Sequence, residues 1–518
     1  MNAARPDRTA PDAARPMGIR AAIANMPPQL IREVSIVGMG DPEVIPLWFG
    51  ESDIPTPKFI CDAAARALTE GRTFYNPNRG IPELRQALSD YMTALYGRAI
   101  ALDRITVTPS GVNAIIQSTE ILLDPGDDVV CVSPVWPNIA GGIRIMSGAM
   151  RTVPIEFSGE RWTLDFNRLL DAIRPETRLV VVNSPSNPTG WVMSSEEQKT
   201  LLDFCRKRGV WIMSDEVYAR IVYGRRAAPS FLEHAAPEDR VIVINSFSKP
   251  WAMTGWRVGW ITHPPELGKT YEMVGEYNMS CATTFAQYGA IAALKDGEGF
   301  IEESTARYQR GRDLVFQRLG ANPRIRMGLP EGAFYAFFGI EGLTDSLEVA
   351  KDIVRKAKVG LAPGAAFSAE SEGYLRLCFA SQTPTISKAF SPGSIFVNGT
   401  FSQLTFTITN PNSSGTLTGV GFSDNLVSGL EVNSTPGVVV SNCGGSTDTS
   451  SFSPSATSLT VSNAAVTAGT PCTIRVNVIG TTAGAKPNTT GAITSTEGGT
   501  GTTSNTATLN VFTAPQIV

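Results

Sequence analysis

The chain has 518 residues, and at about 150 residues per domain that asks for two to four units rather than one core. A formal net charge of -4, with 18% charged and 42% hydrophobic residues, describes a soluble globular protein and gives no electrostatic reason to expect nucleic acid or an anionic membrane as partner. No run reaches the roughly 18 apolar residues of a membrane span, and with only two histidines, His234 and His263, a histidine-based metal site or a Ser-His-Asp hydrolase is nearly removed.

Residues 1–20 carry Arg, Pro and Asp without the apolar stretch of a secretory signal, and a disordered tail is expected over 1–27. The seven cysteines include no C-x-x-C pair or metal-ligand spacing; the first five, Cys61, Cys131, Cys205, Cys281 and Cys378, sit in apolar runs and read as free, buried thiols in a reducing, cytoplasmic compartment. Up to about residue 390 the texture is α/β. Apolar runs at 128–132, 178–182, 210–213 and 241–244 alternate with helical stretches such as 194–208, which predicts parallel strands joined by crossover helices. In such sheets ligands sit at the carboxyl ends of the strands.

Beyond 390 the chain changes character. Only Asp424, Glu431, Asp448, Arg475, Lys486 and Glu497 are charged, and Trp, Tyr, Met and His disappear. Leu404, Phe406 and Ile408 alternate with Thr405, Thr407 and Thr409 before the break at Asn410-Pro411-Asn412, a half-buried strand entering a turn. Similar runs at 438–440, 458–461 and 473–479 predict an all-β, Ig-like sandwich over 391–518. Its two cysteines, Cys443 and Cys472, are expected to pair if that region meets an oxidising compartment.

The distinctive segments follow the predicted strands. Strand 241–244 runs into Asn245-Ser246-Phe247-Ser248-Lys249-Pro250, with Arg257 eight residues past the lysine. The others are Pro109-Ser110-Gly111-Val112-Asn113, Ser133-Pro134-Val135-Trp136, Asn183-Ser184-Pro185-Ser186-Asn187-Pro188-Thr189-Gly190, Ser214-Asp215-Glu216-Val217-Tyr218 and Tyr374-Leu375-Arg376-Leu377. Singly, each has a bland reading: a solvated lysine, an aspartate capping a helix, a Ser-Gly turn, a core tryptophan. In this order and spacing, over about residues 28–381, they resemble the class I/II aminotransferases that use pyridoxal 5'-phosphate (fold type I, aspartate-aminotransferase-like).

That resemblance implies a large, mostly parallel-sheet cofactor domain over 61–299 and a small α+β domain from 28–60 and 300–390. Lys249 would hold the cofactor as an internal aldimine and later move the substrate Cα proton. Asp215 would pair with the pyridine nitrogen, while Tyr218 and Asn187 would bond the phenolic oxygen. Ser110, Gly111 and Val112 at a helix start, with Ser246, Ser248 and Arg257, would bind the phosphate. Trp136 would lie on the ring, and Tyr75 would reach the phosphate in the neighbouring subunit, making a homodimer with shared sites. Arg376 would clamp the α-carboxylate of an L-amino acid or 2-oxo acid bidentately, and Gly50 would let the N-terminal segment close over it. No metal and no second arginine for a dicarboxylate is identified.

Two other readings stay open: another enzyme of the same fold, such as a C–S lyase or decarboxylase, and a non-enzymatic surface or adhesive fusion with an inactive enzyme half. The region after 390 resembles repeat domains of bacterial secreted surface proteins, so the chain is read as a genuine fusion or a chimeric reading frame. The enzyme half is expected to be truncated. Ser381 caps a last helix that Pro384 restrains and Pro392-Gly393 stops after about two turns, leaving an apolar face of the small domain uncovered.

Overall fold

The computed structural model describes residues 18–41, 44–380, 384–412, 415–496 and 499–513. Its largest sheet has eight strands in the order Ile105–Thr108, Gly259–Thr262, Val241–Ser246, Trp211–Asp215, Thr177–Asn183, Asp128–Ser133, Ala149–Phe157 and Trp162–Leu164. The run from Val241–Ser246 to Ala149–Phe157 is parallel, with antiparallel strands at both edges. Central strands are apolar on both faces because helices cover both. Val130, Val180, Ile212 and Val243 enter one core, whereas Val129, Leu179, Met213 and Ile242 enter the other.

The crossover helix Ser195–Arg208 illustrates how locally its bounds are written. Ser194 and Glu197 form a reciprocal capping box, acidic Glu196 and Glu197 occupy the first turn, Arg206, Lys207 and Arg208 the last, and Gly209 ends it at φ 66°. A four-stranded antiparallel sheet, ordered Ile325–Met327, Tyr335–Ile340, Tyr374–Cys378 and Ala362–Pro363, forms a second layer with helices Leu30–Gly38, Glu298–Gly320 and Ser346–Ala357. The N-terminal segment is tied to it where Ile45–Pro46 pairs in parallel with Val359–Gly360.

The C-terminal part is all β. Strands Thr385–Ser391, Ser402–Thr409, Cys472–Gly480, Leu430–Val432 and Val439–Ser441 form one sheet; Ser458–Thr467, Thr416–Asn425, Thr494–Ser495 and Gly499–Thr500 a second; Ser394–Phe396, Ala507–Phe512 and Gly484–Asn488 a third. All three feed one core that includes Leu404, Phe406, Ile408, Val461, Val476 and Leu509. A disulfide joins Cys443 and Cys472.

Several expectations are corrected. Of the tail expected over 1–27, residues 1–17 lie outside the described residues, whereas Ala21–Ala24 is a helical turn docked on the protein: Arg20 donates to the Ile145 carbonyl at 2.9 Å. Cys61 is exposed and Cys281 half-buried, since Cys61 lies one residue off the buried Ile60 and Ala64 stripe of helix Lys58–Thr69. Ser381 lies outside the described residues, and among the described residues that come next Thr385–Ser391 is a strand rather than a helix, antiparallel to Ser402–Thr409 from Thr385↔Thr409 to Ser391↔Gln403. Burial there alternates, Ile386 and Lys388 in, Thr385 and Ser387 out, so a period of two decides against a helix. The β domain therefore begins near 385 rather than 391. Its residues Asn410, Asn412 and Gly415 to Leu417 lie over the face expected to be bare and line a cavity of about 810 Å³ with Leu47, Ile54, Leu314 and Val315.

Phe406 is fully buried, 5.0 Å from the Phe422 ring. Phe406→Ala is expected to lower the stability of the β domain by about 3–5 kcal/mol. Calorimetry should show an earlier transition for that domain with the enzyme domains unshifted; loss of the enzyme transition as well would mean that the two fold as one unit.

Candidate active site

The carboxyl ends of the parallel strands open on one cavity of about 510 Å³. Strand Thr177–Asn183 delivers Asn183 and then Asn187, Trp211–Asp215 ends on Asp215 with Tyr218 in the next turn, and Val241–Ser246 ends on Ser246 ahead of Ser248 and Lys249. Gly111 and Val112 open helix Gly111–Leu122 on the same rim, Trp136 precedes helix Pro137–Ile145, and Arg257 follows the turn Thr254–Trp256. Tyr335 and Arg376 come from the small sheet, and Trp48, Phe49, Gly50 and Glu51 from the N-terminal segment.

Arg376 is 2% exposed. It donates to Asn187 Oδ1 at 2.9 Å and to the Trp48 carbonyl, lies over the Tyr335 and Phe367 rings, and its Nε has no acceptor among the described residues. No carboxylate pairs with it among the described residues, so a buried cation is held on neutral acceptors and rings alone. Such a group has the donors and the charge to take up a carboxylate.

Lys249 Nζ donates to the Gly50 carbonyl. Burial lowers its ammonium to about 8; Cys378 and Glu51 oppose that shift, while Arg376 and Arg257 add to it. Asp215 moves the other way. Burial raises its carboxyl to about 7, against the Val217 amide, which one oxygen accepts at 3.3 Å, and the Lys249 charge. Tyr218 shares a 2.5 Å hydrogen bond with Tyr335, and burial holds its phenol well above the ordinary range. Gly50 must be glycine, because a Cβ there would lie 1.8 Å from the Tyr335 hydroxyl oxygen.

At the other end, the first amides of helix Gly111–Leu122 stand beside Ser246, Ser248 and Arg257. The Ser246 hydroxyl donates to Ser248 Oγ at 2.9 Å, and Arg257 to the Thr254 carbonyl at 2.7 Å. Close packing makes this cup: a Cβ on Gly259 would meet the Gly111 nitrogen at 2.8 Å, and one on Gly111 would touch Val217 at 3.3 Å. Amides at a helix start, two hydroxyls and a guanidinium are an anion-binding set. The Ser110 hydroxyl is used otherwise, accepting the Asn113 amide at 3.0 Å as helix cap.

Thus the cavity gathers every expected residue except Ser110, just behind its wall, and Tyr75, which is 91% exposed elsewhere. Sequence reasoning missed Tyr335, Glu51 and Arg32. Tyr335 lies within the apolar run Ala333 to Phe338 that reads only as core, and Arg32 reads as the polar face of helix Leu30–Gly38. Their roles arise from where the small domain meets the large one.

A family model described as aminotransferase class I and II matches residues 42–390, and one described as a domain of unknown function (DUF7933) matches 384–511. A probable aspartate aminotransferase of Methanocaldococcus jannaschii is 36% identical over 380 residues, covering 72% of this chain and 97% of its own length. An aspartate aminotransferase of Pyrococcus horikoshii is 35% identical over 352 residues, 67% of this chain and 89% of its own. The crystal structure of an aspartate aminotransferase from Thermotoga maritima superposes with a TM-score of 0.64 at 32% identity, over 70% of this chain and 95% of that one. The enzyme half has the aspartate-aminotransferase-like, type I α/β fold, and the chain belongs to the class I and II aminotransferase family. It is a transaminase, moving an amino group from an amino acid to a 2-oxo acid. Among the described residues no helix is long and apolar enough to cross a membrane.

Because its folded value of about 8 lies below the ordinary 10.5, Lys249 binds fewer protons folded than unfolded between those pH values. Its burial therefore costs stability near and below pH 8 and costs progressively less as pH rises toward 10.5. Melting curves of the cofactor-free chain and Lys249→Met across that window are expected to converge in favour of the unsubstituted protein as pH rises; a constant difference would contradict a buried amine.

Proposed function

We propose that this enzyme works with pyridoxal 5'-phosphate held by the residues of this cavity. The donor set at the helix start suits its phosphate, with Gly111, Val112, Ser246, Ser248 and Arg257 as contacts and Ser110 contributing backbone. A carboxylate whose charge burial disfavours, as at Asp215, is restored to its ionised form by a cationic ring N–H, which suits the pyridine nitrogen. Tyr218 and Asn187 would face the phenolic oxygen, and Trp136 the ring. When bound, the cofactor supplies an electron sink for the pair left at the substrate Cα. Lys249, with a neutral amine readily available near pH 8, is both the attachment point and the base for the Cα proton, and Gly50 keeps its carbonyl against that amine.

The observation that carries the reading is Arg376, a buried guanidinium that has no carboxylate partner among the described residues and lies on the same cavity as Lys249. Arg32, exposed at the rim and 5.5 Å from the Phe49 ring centroid, is the cation left to read a substrate side chain. With relatives named aspartate aminotransferase, it supports a dicarboxylic amino acid as donor. Arg376→Lys is expected to raise KM for every amino acid alike, by the equivalent of about 1.5–3 kcal/mol, whereas Arg32→Ala should raise KM for aspartate and leave alanine unchanged. Effects of Arg376→Lys confined to one substrate would sink its assignment to the α-carboxylate.

A homodimer with shared sites accounts for Tyr75. It is exposed together with Phe74, Tyr277 and Met279, an apolar group that a second copy would cover while Tyr75 reached the phosphate of that copy. Mixing inactive Tyr75→Ala and Lys249→Ala subunits is expected to recover part of the activity through heterodimers. Proven heterodimers without activity would place Tyr75 outside the site. The β domain is read as an Ig-like structural module, on its shared core and its low-charge strands.

A further inference from the structure

Inside the β domain, three reactive side chains meet among aliphatic and aromatic neighbours. Lys388 lies on strand Thr385–Ser391, Asp424 on Thr416–Asn425 and Asn488 at the end of Gly484–Asn488, each strand in a different sheet. The Lys388 and Asp424 side chains are 0% exposed, and Asn488 is buried. Lys388 Nζ donates to one Asp424 oxygen and to the Asn488 carboxamide oxygen. The centroids of the Phe406 and Phe390 rings lie 5.4 and 5.9 Å from it, and the second Asp424 oxygen has no partner among the described residues.

The approach is held from outside the triad. Asn505 bonds the Lys388 backbone on both sides, accepting its N–H at 2.8 Å and donating to its carbonyl at 3.0 Å. Asn488 Nδ2 donates to the Asn425 carbonyl at 2.8 Å, which fixes the carboxamide plane. In such surroundings an ammonium and a carboxylate are expensive to keep charged. Moving one proton from Nζ to Asp424 removes both charges and leaves a free amine against a carboxamide carbon, the pairing that nucleophilic acyl substitution needs. Burial, which lowers the Lys388 ammonium against the pull of Asp424, acts in the same direction.

We propose that Lys388 and Asn488 condense into an intramolecular amide with Asp424 as proton carrier. Nζ attacks Asn488 Cγ and the Nζ–Cγ bond forms. Asp424, having taken one proton from the ammonium, passes it to the departing nitrogen and takes the next from Nζ. The Cγ–Nδ2 bond breaks, and one ammonia leaves per link, with no oxidant or reductant. The link spans 100 residues and ties the first strand of the domain to one near its end, whereas the Cys443–Cys472 disulfide spans only 29. A module closed in this way cannot be peeled apart from its first strand.

Mass spectrometry of the full chain after disulfide reduction tests this. The expected mass is below that of the sequence by one ammonia, about 17 Da, and digestion should yield one branched peptide carrying Lys388 and Asn488. Asn488→Ala and Asp424→Ala chains are expected at their full masses. The unsubstituted chain at full mass, with the two segments recovered as separate peptides, would make this an ordinary buried ion pair and overturn the proposal. A branch at Asp424 with loss of water, about 18 Da, would overturn the choice of Asn488, and a linked Asp424→Ala chain would remove Asp424 from the chemistry. The decisive reading comes from the unsubstituted protein, so a variant that fails to fold leaves the test intact.

Discussion

Arg376 is the point through which the enzyme half is held together. Its guanidinium reaches Asn187 of the large domain and the Trp48 carbonyl of the N-terminal segment, while its backbone belongs to the small sheet. Three stretches of chain distant in sequence thus converge on one buried charge. A cation so placed is costly unless an anion arrives, and that cost supports the proposed binding of a carboxylate here. Tyr335, under the guanidinium and bonded to Tyr218, extends the same junction toward Lys249.

Desolvation then sorts the remaining groups. Burial raises Asp215 and lowers Lys249, bringing a carboxyl and an amine to about 7 and 8 respectively. These shifts come from one cause acting on opposite charges. The parallel sheet makes this possible, because its strands end together on one edge and place short turns, with little side-chain entropy, around a shared space. Glycines at 50, 111 and 259 keep that space open by removing atoms where backbone and ring approach most closely.

The β domain answers a different need. Its first strand is Thr385–Ser391, and Asn410, Asn412 and Gly415 to Leu417 lie over the apolar side of the N-terminal segment and helix Glu298–Gly320. Apolar surface near Leu314 and Val315 is thereby partly withdrawn from water, although a cavity remains. The domain's own core is separate, built from alternating residues such as Leu404, Phe406 and Ile408, with Lys388, Asp424 and Asn488 as polar groups set into it.

Much of this was legible in the residues. Continuous apolar runs give the central strands, the stretch 194–208 reads as a crossover helix, and the segments around Ser110, Asp215, Lys249 and Arg376 point to one chemistry because their order matches a family. The departure from expectation at 385–391 has a physical origin: a short segment after Pro384 carries too few residues for helical and strand periods to be told apart, and only pairing with Ser402–Thr409 makes it a strand. Local structure and the identity of the reacting groups follow from the residues alone, since both depend on side-chain chemistry and short-range spacing. That Tyr335 faces Gly50, that Arg32 reaches the rim and that Lys388 meets Asp424 and Asn488 follows only from the folded chain. The Tyr335–Gly50 and Lys388 contacts join residues 36 to 285 positions apart, and no period or motif in the chain encodes which distant strand ends become neighbours.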